Sequence, residues 1–373
     1  MPGTRRARRR RARARGGGGS MSARRQVVMV GPSPLAHGGM AFWAKSAGES
    51  GLLAALRIRY LSSHVEAGRL RKFFVALGVW LQLLGMLLRG RVALLHVHVA
   101  TRASLWRKLG FVWLARAFGR PYVVHLHGGM FPIYYQRNQH KLIGRWLVDM
   151  LRHAHTVVVL SPEWRTWVDQ LAPGAPVAVI PNAVICPDEV EARADPMSLL
   201  YLGRIEAAKG IEELLSAVRR LRDDGAQPRL TVAGSGQMPW FWEKVREYDV
   251  ADVVNFVGWV TGPQKEALLR ECGVFVLPSH QEALPFGVLE AMAYGRVIVA
   301  TRVGGIPFAL GDGAAGVLVE PRDAEALYQA LSQLARHPED GQRLACDARE
   351  RARRSFSFPA IQVQLQELYD GQG

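Results

Sequence analysis

Short apolar runs alternate along the chain with longer stretches whose apolar positions recur at helical spacing. The runs are Gln26–Val30, Ala93–Val99, Tyr122–Leu126, Thr156–Leu160 and Val177–Ile180. A charged stretch, Pro187–Pro196, interrupts them, and they resume at Leu199–Leu202, Arg229–Ala233, Val253–Val257, Val274–Leu277, Val297–Ala300 and Gly316–Val319. Runs without polar alternation mark strands buried on both faces, and helices between such strands predict parallel sheets covered on both sides. The pattern therefore predicts an α/β chain of two doubly wound, Rossmann-like domains, residues 21–190 and 191–355, facing a central cleft. Ligands of such folds lie at the carboxyl ends of the strands, so the chemistry is sought in that cleft.

One stretch fits two readings. Phe73–Leu88 is almost wholly apolar, is broken by Gln82 and is flanked by Arg71, Lys72, Arg89 and Arg91. Sixteen residues fall short of the roughly 18 to 20 that span a bilayer. A buried helix of the α/β core is one reading, and a helix lying in the membrane interface with its basic ends on lipid phosphates is the other. No spanning helix is predicted.

Charge changes the picture only after it is located. The net charge is +16, but residues 1–20 hold eight arginines and no acid, which leaves +8 for the rest. That arm, ending in Gly16–Ser20, has too little apolar surface to fold and is read as a disordered segment with a glycine linker, Met21 being an alternative start. No apolar stretch follows the arginines, so it is not a signal peptide. A basic tail that touches anionic lipid or RNA is the sharper reading of the same residues. Cys186, Cys272 and Cys346 are scattered and form no Cys-x-x-Cys pair, which suggests neither disulfides nor zinc and fits a reducing compartment.

Candidate chemistry clusters after strands. Glu282 and Glu290 stand seven residues apart around Leu284, Pro285, Phe286 and Gly287. Pro285 and Gly287 predict a loop and then a helix start, whose free N–H groups suit a phosphate, with both carboxylates turned to one ligand. Gly203-Arg204-Ile205 and Lys209-Gly210 follow the strand at Leu199–Leu202. Arg204, as a fork, and Lys209, as a point charge, make a clamp for a diphosphate. His125-Leu126-His127-Gly128-Gly129 follows Tyr122 and resembles a hydrolase oxyanion loop, but the chain has no Gly-x-Ser-x-Gly elbow. His96 and His98 alternate on a strand without a second cluster to complete a metal site, so they are read as structural or cleft-lining. No Asp-x-Asp triplet and no Gly-x-x-x-x-Gly-Lys-Ser/Thr loop is present, and no Gly-x-Gly-x-x-Gly follows a strand to open a helix. A metal-held diphosphate, an NTPase and a dinucleotide enzyme are thereby disfavoured.

Together, Gly38-Gly39, Pro181-Asn182-Ala183-Val184, Gly203-Arg204 with Lys209-Gly210, Gly234-Ser235-Gly236, Phe256-Val257-Gly258 and the Glu282/Glu290 pair resemble glycosyltransferase family 4 over residues 26–369. The resemblance implies the GT-B fold, with residues 356–373 forming a last helix that crosses back to the N-terminal domain. It also implies roles. Glu282 would bind the transferred sugar near its anomeric carbon, and His127 would contact that sugar from the opposite domain. Glu290 would accept hydrogen bonds from ribose, and Arg204 and Lys209 would neutralise the leaving diphosphate. Gly38 and Gly39 would let the first loop approach phosphates or acceptor, and the base would be held near Gly234 and Val257. In this family the leaving phosphate is thought to take the acceptor proton, and the transition state resembles an oxocarbenium ion leaving a diphosphate. Relatives commonly carry Glu after the run Val303–Pro307, where this chain has Phe308.

The expectation is a retaining glycosyltransferase without metal or other cofactor. Its co-substrate would be a nucleotide diphosphate sugar, UDP by default and GDP as the close alternative. It would work on a glycan or polyprenyl-linked acceptor, in the cytoplasm or in peripheral contact with the inner membrane face, with no nucleic-acid partner. Trp106-Arg107-Lys108 and the aromatic loop Phe131–Tyr135 are candidate acceptor contacts. A sugar-nucleotide epimerase or hydrolase on the same fold, or a catalytically dead scaffold, is the alternative.

Overall fold

The computed structural model describes residues 25–191 and 195–371; the arginine-rich arm and its glycine linker lie outside them. The chain builds two six-stranded sheets, both wholly parallel. The first contains β1 (Gln26–Gly31), β2 (Arg59–Ser62), β3 (Val92–Val99), β4 (Tyr122–Leu126), β5 (Thr156–Val159) and β6 (Val177–Val179), in the order β2-β1-β3-β4-β5-β6. The second contains β7 (Ser198–Leu202), β8 (Arg229–Ala233), β9 (Val254–Gly258), β10 (Val274–Leu277), β11 (Val297–Thr301) and β12 (Val317–Val319), in the order β12-β11-β10-β7-β8-β9.

Each sheet reverses its direction of growth once, between β1 and β3 in the first and between β7 and β10 in the second. At these points the flanking loops diverge and leave a crevice beyond the strand ends. Central strands such as β4, β10 and β11 are buried along their whole length, which is why they read as unbroken apolar runs. The strand the pattern misses is β2, an edge strand with a single buried residue, Leu61, and hence no apolar run to find.

The final helix, Phe358–Asp370, packs on the first sheet. Phe358, Ile361 and Leu365 share a buried cluster with Met29, Trp43, Leu94 and Val123. Its approach is fixed by Val184 N–H donating to Phe356 O at 2.8 Å. Ser357 caps the helix by accepting from Ala360 N–H.

The helix covering Phe73–Leu88 corrects the core reading. It runs from Arg69 to Leu88, and only Leu83 and Leu87 are buried. Leu70, Phe73, Phe74, Leu77, Leu81 and Leu88 are exposed, Leu70 by 77%. With 20 residues and a mean hydropathy of 1.5 over an 18-residue stretch of them, it is long and apolar enough to cross a membrane by length and composition, although one seam packs on the first domain. Trp80 anchors that seam by donating its indole N–H to Gly110 O at 3.2 Å.

Candidate functional site

The crevice of the second sheet gathers the acidic motif. The loop after β10 carries Glu282, whose Oε1 accepts from Ser279 Oγ at 2.8 Å and from Lys209 Nζ at 2.5 Å. Lys209 ends the short turn Ala207–Lys209 that follows β7. Gly210 then turns left-handed with φ 71°, and a Cβ there would lie 2.0 Å from Pro278 O. Only glycine lets the β7 loop press against the β10 loop, and that contact delivers the Lys209 ammonium to the Glu282 carboxylate.

Glu290 lies one turn into the helix Phe286–Ala293, whose first turn no side chain caps. It has its own cation, because Lys265 Nζ sits 2.5 Å from Glu290 Oε1. Burial pushes the Glu290 carboxyl above its usual range, and Lys265 opposes that shift. Lys265 also lies 3.9 Å from the centre of the Phe42 ring in the first domain, and Phe42 packs edge-on against Phe286 at 5.0 Å. The two carboxylates of the motif are thus each matched by a lysine from a different segment, Lys209 from the turn after β7 and Lys265 from the helix Pro263–Glu271.

The first domain closes on this loop from the other side. A Cβ at Gly129 would lie 2.9 Å from the Glu282 carbonyl carbon, so the His-Gly-Gly turn needs glycine to approach. Gln281 Nε2 donates to Gly129 O at 2.6 Å, and Asn182 Nδ2 donates to Leu284 O at 2.8 Å. His127 stands above β4 at this junction. Burial lowers its pKa to about 3, with Asn182 opposing the shift, so the imidazole is neutral at physiological pH.

Behind His127 the sheet carries a column of histidines. His98 Nδ1 and His127 Nε2 are 2.7 Å apart, His96 Nε2 and His125 Nδ1 are 3.2 Å apart, and His96 Nδ1 meets the Tyr369 hydroxyl of the final helix at 2.7 Å. His98 faces His125 across β3 and β4, so the cluster that the sequence lacked for His96 and His98 is completed from the neighbouring strand. The rings are stacked, with His125 and His127 4.1 Å apart. Burial pushes His96 down to about 3 and lowers His98 and His125 well below the usual imidazole range.

Other expectations fare unevenly. Arg204 and Lys209 are not a joined pair: Arg204 is 70% exposed with its Nε 3.5 Å from Glu206 Oε2, while Lys209 is engaged by Glu282. Gly38 has φ 103° in open space, and a Cβ at Gly39 would meet the Phe286 ring at 3.1 Å. Gly234 allows the β8 loop to reach Gly203 O, and Val257 sits 38% exposed on the edge strand β9. Leu284 is buried, Pro285 stands at the helix start, and Gly287 lies against the Phe275 ring. Phe308 packs edge-on against Phe356 at 5.9 Å, which explains an apolar residue at that position. The aromatic loop is a helix, Phe131–Gln136, with Phe131 wholly buried, and of the Trp106–Lys108 segment only Trp106 is exposed. The string Gly311-Asp312-Gly313-Ala314-Ala315-Gly316 has dinucleotide spacing but leads into β12 instead of following a strand.

Lys265, Gln281 and Asn182 are the positions that sequence reasoning did not assign a role. A signal existed for Lys265, a cation in the first turn of the helix Pro263–Glu271, where the helix dipole favours acids. A cavity of about 710 Å³ adjoins the junction, lined by His280, Gln281, Gly304 and Arg302 of the second domain and by Ile133 of the first. Another, of about 740 Å³, opens at the amino ends of β7 and β8, and no candidate residue lines it.

Comparison with known proteins agrees with this geometry. Residues 21–183 match the family described as "Glycosyl transferase 4-like domain", and residues 196–337 match "Glycosyl transferases group 1". The chain is 33% identical over 233 residues to a glycogen synthase of Mycobacterium tuberculosis, covering 60% of this chain and 55% of that protein. It is 36% identical over 186 residues to a D-inositol 3-phosphate glycosyltransferase of Saccharomonospora viridis, covering 47% of this chain and 43% of that one. The matched stretch thus spans about half the length of these curated relatives. Sucrose-phosphate synthase of Thermosynechococcus elongatus superposes with a TM-score of 0.76 at 20% identity, over 93% of this chain and 99% of that one. HepE of Anabaena, solved in complex with UDP-glucose, superposes with a TM-score of 0.72 at 17% identity over 93% and 99%. These two are likenesses of the GT-B fold.

Proposed function

Because this chain belongs to the GT-B glycosyltransferases of the family 4 type, as its two matched domains establish, we propose that it transfers a sugar from a nucleotide diphosphate donor to an acceptor with retention of configuration. The observation that carries the reading is the pairing of Lys209 with Glu282 and of Lys265 with Glu290 at the second sheet's crevice, directly under the glycine turn of the first domain. A departing diphosphate needs cations, and a positively charged anomeric carbon needs a carboxylate near it. Donor binding releases Lys209 toward the phosphates and leaves Glu282 to the sugar, and Arg204, exposed and loosely held, swings in as the second cation. Neutral His127 serves as a hydrogen-bonding group for the sugar and not as a charge.

UDP is the base we assign first, by the likeness to HepE, and GDP second. The cations of the cleft do the work of a divalent metal at the diphosphate. We further assign the acceptor to the glycans or polyprenyl-linked glycans, and we place the enzyme on the cytoplasmic membrane face, with the helix Arg69–Leu88 in the interface. Its exposed apolar face and the basic residues Arg69, Arg71, Lys72, Arg89 and Arg91 at its two ends support that placement.

The test is a calorimetric screen of UDP- and GDP-sugars without divalent metal, on the wild-type protein and Arg204→Ala. One donor should bind and be weakened by the substitution. Failure of every donor to bind overturns the reading.

A further inference from the structure

The crevice of the first sheet holds a cavity of about 260 Å³ at the carboxyl ends of β1 and β3. It is lined by Gly38, Gly39, His64, His98, Arg107 and Lys108, among others. Lys108 is 2% exposed, and its Nζ donates to Ser63 Oγ at 2.5 Å. A buried ammonium is tolerated when a counter-charge faces it, and no carboxylate is paired with Lys108 or Arg107 among the described residues. Glu66, an acid whose charge reaches His64, is committed to His37: it accepts from the His37 backbone N–H at 2.8 Å and lies 2.5 Å from its ring.

The lining also has unanswered polar atoms. His64 Nδ1, His98 Nε2 and Arg107 Nε are buried without hydrogen-bond partners, and all three residues line this one cavity. His98 is itself only 2% exposed. Gly38 and Gly39 open the helix Gly39–Glu49, which no side chain caps, so its first N–H groups lie at the same cavity. The Arg107 guanidinium, the buried Lys108 amine and a helix start converge here with no carboxylate paired to them, and one oxyanion would answer these groups.

The cavity is one side chain from the candidate reaction centre, because His98 Nδ1 contacts His127 Nε2 at 2.7 Å while the ring lines the cavity. From this we infer that the cavity is an acceptor subsite for an anionic group, a phosphate or carboxylate carried close to the hydroxyl that is glycosylated. That the anion belongs to the acceptor rests on the glycosyltransferase reading above, in which the donor diphosphate is met by Arg204 and Lys209 on the other domain. Burial and the neighbouring Arg107 push the Lys108 ammonium well below the usual lysine range. An arriving anion restores that charge and draws in a proton.

The experiment measures binding of inorganic phosphate, glycerol 3-phosphate, methyl glucuronide and dodecyl phosphate, with methyl glucoside as the neutral control, to the full chain by calorimetry. Each titration is run with and without saturating UDP and in two buffers of different ionisation enthalpy. At least one anion should bind to the UDP-saturated protein with proton uptake, and methyl glucoside should not. Lys108→Met and Arg107→Gln should each weaken that anion about tenfold or more, with UDP affinity unchanged. Tighter binding of dodecyl phosphate points to a lipid-linked acceptor, and tighter binding of the soluble anions to a free one. Anion binding that both substitutions leave intact, or UDP binding with no anion bound, overturns the inference. Failure of UDP with retained, Lys108-dependent anion binding overturns the donor reading instead.

Discussion

Lys265 Nζ lies 2.5 Å from Glu290 Oε1, with both side chains more than four-fifths buried, so the last carboxylate of the acidic motif meets its counter-cation on the neighbouring helix Pro263–Glu271. Removing the cation by Lys265→Met leaves a buried carboxylate alone, which costs about 3 kcal/mol of stability. The sign of its pH dependence follows from burial, which raises the folded pKa of Glu290 above its unfolded value. The folded state then binds the proton more tightly, so the cost is absent at low pH and grows as pH rises through the raised pKa. Urea unfolding of Lys265→Met should show a deficit at pH 7.5 that shrinks toward pH 4, and Lys265→Met/Glu290→Gln should recover most of it. A deficit that does not change with pH contradicts this account.

Arg204 and Lys209 should separate cleanly. Arg204 is 70% exposed, so Arg204→Ala leaves stability within about 0.5 kcal/mol while weakening the donor about tenfold. Lys209 holds Glu282, so Lys209→Ala should lower kcat as well as donor affinity, because the carboxylate loses its anchor. Steady-state kinetics on both variants decides the point, and equal losses in both would refute the separation.

The histidine column makes stability depend on acid. His96, His98, His125 and His127 are all depressed by burial, with His96 and His127 at about 3. Between their folded and unfolded values the unfolded chain binds more protons, so stability is full above about pH 6.5 and falls as the pH drops below it. Each histidine contributes a slope of about 1.4 kcal/mol per pH unit in that window. Urea titrations at pH 7.5, 6 and 5 should show the fall, and His96→Gln should flatten it. The rate should show no histidine inflection near pH 6.5 assignable to His127.

The exposed helix face predicts membrane binding without a role in folding. Phe73 and Phe74 are 60% and 63% exposed, so Phe73→Glu/Phe74→Glu should unfold at an unchanged urea midpoint. The same variant should lose sedimentation with phosphatidylglycerol vesicles, and added salt should weaken the wild-type protein on them. Sedimentation equal to wild type would remove the helix from any membrane contact.

The order of elements and the sheet class were legible in the sequence, because strands buried on both faces and the helices between them carry distinct periodicities that no tertiary contact is needed to generate. The acidic motif was legible too, as spacing within one loop and helix. What only the tertiary structure decided is pairing between segments that are remote in sequence. Lys209 meets Glu282 because Gly210 lets two strand ends touch, Lys265 meets Glu290 across two helices, and His125 joins His96 and His98 because β4 lies beside β3. The core reading of the helix Arg69–Leu88 failed for a related reason: apolar composition states what a surface prefers, whereas burial depends on whether another part of the fold arrives to cover it, and here only Leu83 and Leu87 are covered.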